Sequence, residues 1–274
     1  RWVNVGIVIQ PSEIMKIAMP MMLAWYFTKL EVRPSAKHFA QAGLLLLVPV
    51  ALVMKQPDLG TALLITAAGF YVLFLAGLSW KLLLGGTLSL VAAAPFLWTL
   101  LHDYQRRRIE ILFDPSQDPL GSGYHTIQAM IAIGSGGFAG KGWLNGTQAQ
   151  LDFIPERTTD FIFAVAGEEF GVLFCLLVIG IFAFIVVRGY SRLWKEQDQF
   201  TLIAVAGLLA QFGIQAIVNM GVAVNLLPAK GMTLPFLSYG GSSLVAMAIG
   251  MGMMLALTRK RYGQFTVDLR RKAF

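Results

Sequence analysis

Leu151-Asp152-Phe153-Ile154-Pro155-Glu156-Arg157-Thr158-Thr159-Asp160-Phe161-Ile162-Phe163-Ala164-Val165-Ala166-Gly167-Glu168-Glu169 decides how this chain is read. The stretch passes from a polar loop into a long apolar run and carries Asp152, Glu156, Arg157, Asp160, Glu168 and Glu169 across the boundary. Charge at the mouth of a hydrophobic segment is costly unless it is paired, hydrated or used. Either Asp160 is the chemical centre of a membrane enzyme, or these charges mark where a helix leaves the membrane.

Working outward, composition settles the environment. Of 274 residues 56% are hydrophobic and 14% charged, against roughly 25% charged in soluble domains, and mean hydropathy is +0.65. Apolar runs of about 20 residues, enough to cross a bilayer, recur at about 7–27, 39–54, 61–78, 82–101, 161–187, 200–224 and 242–258. The expectation is an all-α polytopic membrane protein with seven transmembrane helices. The lone Cys175 lies in an apolar run, which excludes an intrachain disulfide. The opening Arg1-Trp2, without an initiator methionine, suggests a piece of a longer protein.

The net charge of +7 does not point to nucleic acid, because the basic residues cluster in short segments beside apolar runs. Residues 28–38, Lys81, residues 188–195 and the tail hold thirteen lysines and arginines; the other short loops offer Arg1, Lys55 and Lys230. The positive-inside bias puts the first set in the cytoplasm. Residues 102–160, polar, Gly- and Pro-rich and without a span-length run, then form a large structured extracytoplasmic loop, and Asp160 faces outward. Within it Tyr124, Ile127, Met130 and Ile131 line one helical face opposite His125 and Gln128, as in a helix lying in the membrane interface.

Several soluble-enzyme signatures fail. Gly134-Ser135-Gly136-Gly137-Phe138-Ala139 has no βαβ surroundings, Gly140-Lys141 lacks the rest of a P-loop, and His38, His102 and His125 lack zinc spacing. Two features survive beside the opening stretch. Glu13 and Lys16, at i and i+3 inside the first apolar segment, are placed to form an intramembrane ionisable pair, read as functional by default; a structural salt bridge that lets the segment insert is the plainer reading. Arg106-Arg107-Arg108 joins the fourth span to the outer loop, where arginine's planar fork suits phosphate or diphosphate; binding of lipid head groups is the plainer reading.

Taken in order, Arg1-Trp2, Gln10-Pro11-Ser12-Glu13 with Lys16, Gln56-Pro57-Asp58-Leu59-Gly60-Thr61, Gly123-Tyr124-His125 with Gln128, Ile131–Gly137, Gly140-Lys141-Gly142-Trp143, Pro155–Ala164 and Ser238-Tyr239-Gly240-Gly241-Ser242 resemble the SEDS family, its rod-shape branch rather than its division branch. The resemblance covers essentially the whole chain, as a single SEDS-type membrane domain. It implies a ten-span fold, of which this chain would lack about three spans, in the bacterial cytoplasmic (inner) membrane. The implied activity is peptidoglycan glycosyltransfer, polymerising lipid II into glycan strands for cell elongation.

Carried over, the family's essential aspartate falls on Asp160, its tryptophan on Trp2 and its buried acid and lysine on Glu13 and Lys16. Threonine at 158, where relatives commonly carry histidine, removes a possible proton partner for Asp160. In this reading Asp160 is the general base and undecaprenyl diphosphate the leaving group. Arg106, Arg107, Arg108, Lys141 and Arg157 are candidates to hold the diphosphate. Glu168 and Glu169 are supporting candidates to orient Arg157 or a cation, and a divalent cation (Mg or Mn) could share the charge. Implied partners are a class B penicillin-binding protein transpeptidase, elongation-complex membrane proteins and the lipid bilayer, with no nucleic acid. The competing classes are a lipid II flippase gated by Glu13–Lys16 and a scaffold for cell-wall enzymes.

Overall fold

The computed structural model describes residues 3–4, 8–30, 34–56, 58–100, 103–118, 121–228 and 231–259. Trp2 and the basic tail lie outside them, as does the side chain of Arg108. All seven apolar segments are helical: α1 (Pro11–Thr28), α2 (Ala36–Lys55), α3 (Leu59–Leu75), α4 (Trp80–Leu100), and, after the polar insertion, α8 (Ile162–Leu193), α9 (Gln199–Ala223) and α10 (Gly241–Thr258). The insertion holds α5 (Asp103–Phe113), a 3-10 turn at Pro115–Gln117, α6 (Ser122–Gly136) and the single turn α7 (Thr147–Gln150). Val3–Asn4 pairs antiparallel with Val8–Ile9 at the start of the chain.

Local chemistry sets several boundaries. Pro11 opens α1, where its missing N–H costs nothing. Asp58 caps α3 by accepting from the Thr61 amide at 3.1 Å, and Asp198 caps α9 through Thr201 at 2.9 Å. Four helices among the described residues are long and apolar enough to cross a membrane: α2, α8, α9 and α10. Helix α3 and the first part of α4 are apolar but shorter. The chain is a helical membrane protein.

Helix α9 is the hub. Of its most apolar window 78% is buried, against 22% for α2 and α8, because α1, α3, α8 and α10 all pack around it. Gly207 makes one such approach possible: a Cβ there would press on Val72 and Pro20. Without a hydrophobic drive between helices in lipid, this kind of small-residue contact sets the packing.

Helix α8 is bent. At 32 residues it would be about 48 Å long if straight, beyond the roughly 30 Å of hydrocarbon. Gly171, at φ 77°, splits it, and the part beyond the bend is span-length by itself. The bend leaves backbone groups without helical partners, and the loop after α6 takes them. Lys141 and Gly142 amides donate to the carbonyls of Glu168 and Glu169 at 3.0 and 2.9 Å, and Val172 donates to Gly137 at 2.9 Å. Gly140 sits in this contact at φ 79°, where a Cβ would collide with the Glu169 carbonyl. Gly140→Ala is therefore expected to destabilise the protein by about 2 kcal/mol or more, read as a lower unfolding temperature in detergent. An unchanged temperature would show that the loop is not docked this way.

The buried face of α6 is made of small residues, Gly123, Thr126, Ala129, Ala132 and Gly136, with Gly123 against Pro115 and Asp118 and Gly136 against α8. The larger apolar set singled out in the sequence points away, with Met130 and Ile131 exposed and Tyr124 and Ile127 partly so. Close approach to the bent helix needs the small face, since a Cβ on Gly136 would meet the Gly167 carbonyl.

Candidate active site

Residues 151–161 form a run of turns between α7 and α8. Ile154 and Phe161, both buried in the core shared by α6, α8 and α9, pin the run at two points. Between them, three successive carbonyls are tied down. The Tyr239 amide donates to Thr158 O at 2.8 Å, the Ser238 hydroxyl to Thr159 O at 2.5 Å, and the Asn219 amide nitrogen to Asp160 O at 3.0 Å. Asn219, 1% exposed on α9, also donates to Met232 O at 2.6 Å. One buried side chain thus joins the Asp160 turn to the 231–240 loop.

The half-buried Asp160 faces a cavity of about 360 Å³ lined also by Gln10, Glu13, Lys16, Asp58, Glu156, Gln215, Thr233, Tyr239 and Ser243. Glu13 and Lys16, nearly 150 residues away in sequence, form its floor. Lys16 Nζ lies 2.6 Å from Glu13 Oε2 and donates to Gln215 Oε1 at 3.1 Å. Gln215 in turn donates to Thr233 O at 2.9 Å, and Thr233 shares a 2.8 Å hydroxyl contact with Ser243. Three of the residues picked from the sequence, Asp160, Glu13 and Lys16, therefore share one cavity. It also brings in Asp58, Gln215 and, through the backbone, Asn219, which sequence reasoning passed over. Polar residues at Gln211, Gln215 and Asn219, spaced four apart inside an apolar run, were the available signal.

The remaining candidates lie elsewhere. Lys141 is bound to the fully buried Glu168 at 2.7 Å, and Glu168 also accepts from Thr147 Oγ1 and the amides of Gln148 and Ala149. Glu168 is thus the anchor of the 141–149 loop and does not orient Arg157. Arg157 pairs with Asp152 at 2.6 Å and donates to the Ala149 carbonyl. The buried Glu169 is placed on the same face of the bend, its carbonyl taken by Gly142. Arg106 donates to the Trp98 and Thr99 carbonyls, closing the end of α4, and the exposed Arg107 pairs with Asp118 at 3.0 Å. These two arginines line a separate concavity of about 430 Å³ with Asp103, Glu110 and Ile111.

Glu168→Gln is expected to cost about 1.5–3 kcal/mol, the value of hydrogen bonds to a charged group, and to speed proteolysis within residues 137–150. Equal cleavage rates would leave the loop held by its backbone pairs alone.

Comparison with known proteins places this geometry. Residues 1–263 match the FtsW/RodA/SpoVE cell cycle protein family. Peptidoglycan glycosyltransferase MrdB of Escherichia coli is 47% identical over 264 residues, covering 95% of this chain and 71% of that one. A probable peptidoglycan glycosyltransferase FtsW of Geobacter metallireducens is 39% identical over 268 residues, covering 96% and 70%. Among solved structures, a chain from a study of polymerization and crosslinking by a peptidoglycan synthase complex superposes with a TM-score of 0.81 at 32% identity, over 95% of this chain and 73% of that one. The rod shape determining protein RodA of Thermus thermophilus gives 0.65 at 29% identity, over 95% and 69%.

Proposed function

The chain belongs to the FtsW/RodA/SpoVE family, the SEDS proteins, and from that premise we propose that Asp160 is the base with which it joins lipid II units into glycan strands. It is a peptidoglycan glycosyltransferase. The observation that carries the site assignment is the shared cavity of Asp160 and the Glu13–Lys16 pair.

In the proposed step, an Asp160 carboxylate oxygen takes the proton of the acceptor's sugar hydroxyl. The hydroxyl oxygen bonds to the donor's anomeric carbon, and the bond from that carbon to undecaprenyl diphosphate breaks, leaving its electrons on the diphosphate. Asn219, Ser238 and the Tyr239 amide hold the turn so that the carboxylate is presented without reorganisation.

The leaving group needs positive charge. Lys16 is the one cation among the described lining residues, beside the carboxylates of Glu13, Asp58, Glu156 and Asp160. That excess of negative charge favours a diphosphate arriving with a divalent cation. Among the described residues no three His, Cys, Asp or Glu side chains converge as a metal centre. Separate carboxylates on the wall suit an ion of the magnesium type, which takes one or two of them and completes its shell with water and phosphate. Asp58 or Glu156 would supply a carboxylate to it, and it would supply charge to the diphosphate. Arg106 and Arg107, with Arg108 on the same helix, serve in this reading as an outer subsite that receives the diphosphate after release.

All seven apolar helices span the cytoplasmic membrane, with residues 102–160 on the outer face. A class B penicillin-binding protein and other elongation proteins are the proposed partners; the related chain in a peptidoglycan synthase complex supports the first of these. The test is purified protein with lipid II, its product resolved on a gel with and without that partner, and fluorescent lipid II followed between leaflets in parallel. Polymer is expected. Leaflet transfer without polymer, lost with Glu13 or Lys16 rather than with Asp160, would instead make the chain a flippase.

A further inference from the structure

At the far end of the bundle from Asp160, α8, α9 and α10 leave an apolar groove of about 360 Å³ between them. Its floor is Leu209, Met251 and Met254, and its mouth carries Arg188 and Arg192 of α8 with Thr258 at the end of α10. Along α8 the two arginines stand about 26 and 32 Å beyond the Gly171 bend at 1.5 Å per residue. That is a hydrocarbon thickness away, so the mouth opens at the opposite membrane edge from the active site. The arginines are four residues apart on one helical face and exposed. Among the described residues neither has an acidic partner. Arg192, in the last turn, complements the helix dipole, but Arg188 lies a turn too early for that.

We propose that this groove is a binding site for an anionic glycerophospholipid, with one acyl chain lying on Leu209, Met251 and Met254 and the phosphate held between Arg188 and Arg192. Charge selects the head group: two guanidiniums at a membrane edge, without an acidic partner among the described residues, attract phosphate, and arginine's fork matches its oxygens. Size selects the chain. A helix with its side chains is about 10 Å across and would fill 360 Å³ in roughly one turn, so a thinner occupant such as a methylene chain suits the groove better. The methionines suit a flexible occupant because their unbranched side chains repack readily. The site is independent of the glycosyl-transfer reading.

The experiment uses the intact protein in phosphatidylcholine vesicles with and without a photoactivatable phosphatidylglycerol, the crosslinks being mapped by mass spectrometry. Crosslinks on α8 and α10 near Met254 are expected, competed by unlabelled phosphatidylglycerol but not by phosphatidylcholine or inorganic phosphate. Arg188→Gln with Arg192→Gln should weaken capture about thirtyfold, each near-surface arginine being worth roughly fivefold. Met254→Trp, which fills the groove and keeps the arginines, should also reduce it. Undiminished capture by the double variant would overturn the proposal. So would competition by inorganic phosphate alone, or capture of residues 260–274 or another protein by a photoreactive side chain at position 255.

Discussion

Asp160→Asn is expected to lower glycan synthesis from lipid II by at least about 10²–10⁴-fold, the usual contribution of a general base, while lipid II binding and thermal stability stay at wild-type levels. The amide keeps the size and the hydrogen-bonding oxygen but cannot accept the acceptor's proton. The turn should hold its shape because the Asp160 carbonyl, which Asn219 binds, is unchanged in the variant. Polymer length on a gel, with binding measured separately, checks both halves. Normal polymer from this variant would remove Asp160 from the chemistry. Lost binding together with lost polymer would make it a substrate contact.

The second large effect falls on stability. Lys16→Ala leaves Glu13, 7% exposed, without its 2.6 Å partner at the cavity floor. Removing one member of a buried ion pair costs about 3–5 kcal/mol, whereas replacing both with neutral residues of similar volume is close to neutral. Lys16→Ala should therefore unfold at a markedly lower temperature in detergent, and Glu13→Gln with Lys16→Met should recover most of the loss. If Lys16 also supports the leaving group, that double variant will be stable and still slow. Recovery of both stability and polymer would confine the pair to a structural role.

These two expectations draw on residues that were conspicuous in the chain itself. Carboxylates and a lysine stand out in apolar runs because their burial is costly, so Asp160, Glu13 and Lys16 could be picked before any geometry was known. The helices were legible because each is a long, mainly apolar run. Pairing was not legible. Lys141 and Glu168 lie 27 residues apart and meet only because α8 bends at Gly171. Arg106, seven or eight residues beyond the carbonyls that it binds, finishes a helix, a use that a triple arginine does not advertise.

The way in which Asn219, Ser238 and Tyr239 grip the Asp160 turn has a consequence for sequence drift. They touch the carbonyls of Thr158, Thr159 and Asp160, and every amino acid carries the same carbonyl. The grip is blind to what side chains the turn displays. Position 158, whose side chain is exposed, can hold threonine or a larger residue such as histidine without altering the path of the backbone. The turn can thus change its display while the aspartate stays where it is held.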